Sequence, residues 1–188
     1  MNSFCPENQD EWRAWLKENH LAEDFVWLIF YKKSSPNYNL SWSDAVDQAL
    51  CFGWIDSTKK SIDDEKYMQY FCKRKPKSNW SKVNKEKIKR LVEQGLMEEA
   101  GSRSIEVAKT NGSWSFLDAI EALEVPDDLT AELAKHPGAG DYFAGLSKSA
   151  KKMLLYWVAS AKRPVTRQKR VVDVATCASQ GLMPKQLR

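Results

Sequence analysis

The hydrophobic pattern of this chain changes period near residue 78, and no other feature limits its fold as strongly. Before that point apolar residues run together or alternate as strands require. "DFVWLIFYKK" (24–33) is a dense aromatic and β-branched run closed by "SSPN", which predicts a central strand. "WIDSTKKSI" and "KYMQYFCKRK" alternate on either side of "DDE", which predicts an antiparallel hairpin. Two helices interleave with these strands. "PENQDEWRAWLKENH" (6–20) opens on a proline suited to a first helical turn and spaces Trp12, Trp15 and Leu16 helically. "LSWSDAVDQALCFG" (40–53) begins with Ser41 three residues before Asp44, a capping-box spacing, and Gly53 stops it.

After residue 78 the spacing is 3.6 throughout. "SNWSKVNKEKIKRLVEQG" (78–95), "MEEAGSRSIEVAKTNG", "SWSFLDAIEALE", two short pieces around His136 and Pro137, "SKSAKKMLLYWVASAK" (147–162) and "PVTRQKRVVDVATCASQG" (164–181) all predict helices, several closed by glycine. The fold class is therefore α+β. A small N-terminal domain (1–78), with a three-stranded, mainly antiparallel sheet and helices, precedes an all-helical C-terminal half (79–188).

Composition narrows the function. The sequence opens without a basic start and apolar core, and no apolar run is long enough to span a membrane, so a cytoplasmic protein is expected. Cys5, Cys51, Cys72 and Cys177 are scattered, with no CxxC and no histidine pair, so neither a zinc site nor a disulfide framework is expected, and no cofactor is implied. Charge falls in blocks. Residues 1–58 carry 4 basic and 9 acidic groups, 59–90 carry 12 and 4, 91–145 carry 3 and 11, and 146–188 carry 10 and 1. Either the basic blocks form a surface for polyanions, or each faces an acidic block of the same molecule. Lys73, Lys75, Lys77, Lys82 and Lys85 are the candidates for the first role, with Trp80 available for stacking.

Catalytic patterns are sparse. The two histidines, His20 and His136, stand where helix ends are predicted and suit capping roles. Neither phosphate-loop glycine pattern occurs. What remains is a polar and aromatic constellation at element boundaries: Trp42, Trp54, Asp56, Arg74, Trp80 and Asn84. Trp54 and Asp56 share one face of their strand, and a carboxylate beside an indole suits a cationic or polar ligand. The structural alternative is an ion pair of Asp56 with Arg74 across the hairpin.

The stretch from "LSWSDAVDQALCFGWID" through "SNWSKVN", together with "EWRAWL", "VWLIFYKK" and the closing "VPDDLTAELAKHPGAGDYFAGLSKSAKKMLLYWVASAKRPVTRQKRV", resembles the bacteriocin-protection, YdeI or OmpD-associated family of bacterial proteins. Gly53, Trp54, Ile55, Asp56, Arg74, Ser78, Trp80, Ser81 and Asn84 match its pattern. Ser57 and Lys73 depart from it, where glycine and proline are usual. The resemblance implies a role in resistance to bacteriocins or cationic peptides and an association with a porin, and it implies no enzymatic activity.

The expected function is that of a cytoplasmic binding or stress-response accessory protein with a polar, aromatic cleft. Its partner would be a small polar ligand or another protein. Two alternatives stand beside it: an enzyme acting on a small polar metabolite with Asp56 as general base, and nucleic-acid or polyanion binding through residues 73–90. Oligomeric state is left open.

Overall fold

A computed structural model describes residues 2–188. The chain divides into two compact units, one running to Ser115 and the other Phe116–Arg188. The change of period after the hairpin is present as expected, yet the division of the chain falls some forty residues later than that change. The first two helices beyond residue 78 belong to the sheet-bearing unit, because their apolar stripes have a sheet-side core to cover.

In the first unit the order is β1 (Ser3–Phe4), α1 (Gln9–Asn19), β2 (Phe25–Tyr31), α2 (Trp42–Cys51), β3 (Trp54–Ser61), β4 (Lys66–Lys73), α3 (Lys82–Glu93) and α4 (Glu99–Thr110). The sheet has four strands, not three, in the order β1-β2-β4-β3. The additional strand is two residues long and pairs parallel to β2. So short a segment carries no alternation for a sequence pattern to reveal. The central pairs are antiparallel as expected, with Trp27 opposite Tyr70 and Asp56 opposite Phe71, and a bulge between Asp56 and Lys59.

Period-two alternation decides what each strand buries. Val26, Leu28 and Phe30 of β2 point into one core with Phe71 of β4 and Trp54 of β3. Trp12 and Leu16 of α1 and Ala45, Val46, Ala49 and Leu50 of α2 cover them, and Ile88, Leu91, Ile105 and Ala108 extend the same core into α3 and α4. Helix boundaries follow local chemistry. Ser41 caps α2 by accepting from Asp44 N, and Ser81 caps α3 by accepting from Asn84 N. Helix α1 starts later than Pro6 suggested, since the Asn8 side chain takes the amides of Asp10 and Glu11.

The second unit is wholly helical: α5 (Asp118–Glu121), α6 (Asp127–Ala134), α7 (Ala139–Gly145), α8 (Lys148–Ala159), α9 (Pro164–Ser179) and a terminal 3-10 turn (Lys185–Leu187). Its core is Leu129, Leu133, Phe143, Leu154, Leu155, Val158, Val171, Val174 and their neighbours. The helix expected over "SWSFLDAIEALE" shrinks to a single turn. Among the described residues no helix is long and apolar enough to cross a membrane.

The charge blocks meet their neighbours. Asp47 accepts Lys87 Nζ at 2.6 Å and also pairs with Arg90, Lys73 reaches Asp24 at 3.0 Å, Arg167 reaches Asp128 at 2.7 Å, and Lys152 pairs with Glu121. Each pair joins a basic block to the acidic block before it.

Candidate functional site

"FGWID" is a joint with a cavity beside it. Phe52 ends α2, and Gly53 follows with φ +73°, a conformation that costs glycine little and a side-chain-bearing residue more. A Cβ at Gly53 would come within 2.9 Å of Ala100 O, so the turn also requires glycine for space. Gly53 O then accepts Arg74 N at 2.9 Å, which brings the end of the hairpin beside the end of α2. Gly101 of α4 lies closer still, since a Cβ there would meet Cys51 O at 2.1 Å. These two glycines let α4 lie against the α2 terminus.

Beside this contact opens a cavity of about 470 Å³. Its apolar lining includes Phe52, Trp54, Trp80, Pro76 and Val107, and its polar lining includes His20, Arg74, Lys75, Arg103 and Ser104, with Glu99 its one carboxylate. Trp54 and Trp80 are each 1% exposed, so they offer only ring edges or faces to the cavity while anchoring in the core. Trp54 Nε1 donates to His20 O at 3.3 Å. The segment after β4 is clamped from the end of α4: Asn111 Nδ2 and Ser113 Oγ both donate to Pro76 O, at 2.7 and 3.2 Å.

Arg74 is the unusual member. Its guanidinium carbon sits 3.7 Å from the Trp80 ring centroid, and Nη2 donates to Asn79 O at 2.6 Å. Nε is sealed from solvent without a partner, and among the described residues neither Nη1 nor any other atom of this side chain meets a carboxylate. Burial draws its pKa down to about 10, against an opposing pull from the Asp56 charge.

The sequence-derived constellation divides. Trp54, Arg74 and Trp80 line the cavity, as do Lys73 and Lys75 from the basic stretch. Trp42, Asp56 and Asn84 are not among the lining residues. The structural alternative, an Asp56–Arg74 ion pair, is not formed among the described residues. Asp56 Oδ2 instead accepts Trp42 Nε1 and Gln69 Nε2, each at 2.9 Å, which fastens β3 to α2 and β4. Gln69, which lies opposite Lys59 beyond the bulge, is buried, and its amide also donates to Ser57 O at 2.9 Å. An Asp56 carboxylate so engaged is poorly placed as a general base. Asn84 contributes its backbone amide to the Ser81 cap.

Within the basic stretch, three of the five candidate lysines have neighbours of their own. Lys73 pairs with Asp24, Lys82 lies 4.0 Å from Glu86, and Lys85 approaches the Trp114 ring at 5.3 Å. Lys77 is exposed.

Sequence reasoning missed His20, Arg103 and Ser104. His20 was read as a cap, and it is one, its amide donating to Leu16 O. Its Nδ1 is also 2.9 Å from that carbonyl, which can only accept, so Nδ1 carries a proton. Its ring rests 5.1 Å from Phe52. Arg103 and Ser104 lie on a helix face whose orientation depends on the close approach at Gly101, and residue type gives no signal for that. Among the described residues no cluster of His, Cys, Asp or Glu suits a metal.

Residues 4–104 match the family described as "Domain of unknown function (DUF8412)", which covers most of this unit and all the residues lining the cavity except Val107. The chain belongs to the DUF8412 family. Residues 122–181, within the helical unit, match the family described as "Bacteriocin-protection, YdeI or OmpD-Associated", the family that the sequence resembles. The "FGWID" and "SNWSKVN" motifs lie within the DUF8412 segment, not within the YdeI/OmpD-associated one. No curated protein and no solved structure matches the chain.

Proposed function

We propose that this DUF8412 protein is a ligand-binding accessory protein whose first unit takes a small molecule into the cavity beside Gly53. The observation that carries the reading is the cavity itself: about 470 Å³, with fixed aromatic walls and a few convergent polar groups. Small-molecule sites are typically concave, largely apolar and of roughly 300–1,000 Å³. The walls are set by core residues, so the site is preformed and binding need not order it. Four free cysteines suit action in the reducing cytoplasm. The YdeI/OmpD-associated segment supports a part in resistance to bacteriocins, in which this unit would sense or carry a ligand.

The test is a thermal-shift screen of the full chain against small metabolites, repeated with Ser104→Trp, which places an indole in the cavity. Binding to the folded state raises apparent stability by mass action. The expected result is a ligand that raises the Tm of the wild type and leaves Ser104→Trp unmoved. A ligand that shifts both proteins equally binds elsewhere and refutes the reading.

A further inference from the structure

The charge of Arg74 limits what the cavity can hold. A guanidinium carries five N–H donors, and burying it without a counter-charge is costly. Here Nη2 reaches only a backbone carbonyl, Nε has no partner, and Nη1 has none among the described residues. The Trp80 face covers the flat side of the cation, and Nη1 is left to pair with an anionic oxygen. Two further cations of the lining, Lys75 and Arg103, are exposed and make no ion pair among the described residues. Lys73, by contrast, is already committed to Asp24. Against these stands Glu99 alone.

Apart from His20 and Ser104, the remaining lining is apolar. Phe52, Trp54 and Trp80 are closed off by the core behind them, but Leu21, Pro76 and Val107 open to the cavity's water, and an inorganic anion is too small and too polar to cover them. Resting on the reading of the cavity as a ligand site, we infer that its ligand is an organic monoanion, a carboxylate or sulfonate on a flat apolar body. The anionic group lies at Arg74 Nη1, with Lys75 and Arg103 raising the local potential, and the body lies against the apolar surface of Leu21, Pro76 and Val107.

Two fluorescent probes with the same body separate the possibilities: 1-anilinonaphthalene-8-sulfonate, and N-phenyl-1-naphthylamine, which lacks the sulfonate. Both are titrated into the full chain at fixed ionic strength, and into Arg74→Gln, Ser104→Trp and, as a control in the other unit, Lys169→Gln. The sulfonate is expected to bind about tenfold more tightly than the neutral probe and to lose about that factor in Arg74→Gln. Ser104→Trp is expected to abolish binding of both, and Lys169→Gln to change neither. Equal binding of the two probes, lost in Ser104→Trp but indifferent to Arg74→Gln, overturns the anion inference and leaves the cavity reading intact. Binding that survives Ser104→Trp, or no binding of either probe, overturns both. If Arg74→Gln does not fold, the double variant Lys75→Gln/Arg103→Gln, changed only at exposed positions, carries the comparison. A sulfonate affinity reduced about threefold or more with the neutral probe unchanged supports the inference, and an unchanged ratio overturns it.

Discussion

The guanidinium of Arg74 lies 3.7 Å over the centre of the Trp80 ring, so the cavity's innermost charge and one of its walls are a single packed unit. Trp80 is 1% exposed and also meets Trp114 with ring centroids 5.0 Å apart. Trp80→Ala should therefore cost about 3–5 kcal/mol of stability in the first unit. Far-ultraviolet circular dichroism during urea unfolding measures it, and a loss under about 1 kcal/mol would show that the ring is not a structural wall.

Asp47 is 7% exposed and holds both Lys87 and Arg90, tying α2 to α3. Removing one member of a buried ionic group leaves the others uncompensated, so Asp47→Ala should destabilise by about 3 kcal/mol. Because Arg90 is half exposed, its share is small and Lys87 carries more. A double-mutant cycle between Asp47→Ala and Lys87→Met, read by urea unfolding, should return a coupling well above that of Asp47 with Arg90→Met. Equal couplings would contradict this division.

Two helical glycines should respond to alanine in opposite directions. At Gly101 the new methyl would stand 2.1 Å from Cys51 O, so α4 must move off α2 and the cavity must deform. At Gly140 nothing lies within 4 Å, and the change should stabilise by up to about 1 kcal/mol through helix propensity. Thermal unfolding of Gly101→Ala and Gly140→Ala checks both signs. A Gly101→Ala protein as stable as the wild type would remove the close approach from the account.

Acid should weaken the helical unit through Asp128. The Arg167 guanidinium donates to both its oxygens, at 2.7 and 2.9 Å, and holds its pKa below the ordinary carboxylate value. A lowered folded pKa means stability that is fully present above the unfolded pKa of about 3.9 and is lost as pH falls through the folded value. Both side chains are about one-third exposed, so solvent screening keeps the effect modest. Urea midpoints of the wild type and Asp128→Asn should differ at pH 7 and converge in strong acid. A difference that stays constant down to pH 2 would assign the loss to something other than this pairing.

Much of the fold is legible in residue order because it rests on local physics. The run Phe25–Tyr31, the capping serines Ser41 and Ser81, and the glycines that end α2, α3, α4 and α9 need only their neighbours to act. The pairing of Asp47 with Lys87 and Arg90 joins an acidic block to a basic one, and it depends on the packing of α2 on α3.

Tertiary contact decided the rest. The strand Ser3–Phe4 exists because β2 offers it an edge, not because two residues prefer extension. Helices α3 and α4 join the first unit because Ile88, Leu91, Ile105 and Ala108 find its core. Within the site, Trp54, Arg74 and Trp80 could be read from types and spacing, since all three stand at element boundaries. Asp56 shares a strand face with Trp54 but is bonded to Trp42 and Gln69, because a bulge and a helix start lie within its reach. His20, Arg103 and Ser104 could not be read at all. They reach the cavity through contacts across tens of residues, and the closest of these depends on the missing side chain of Gly101. Periodicity and caps are properties of neighbours in sequence, whereas a cavity belongs to surfaces that meet only after the chain has packed.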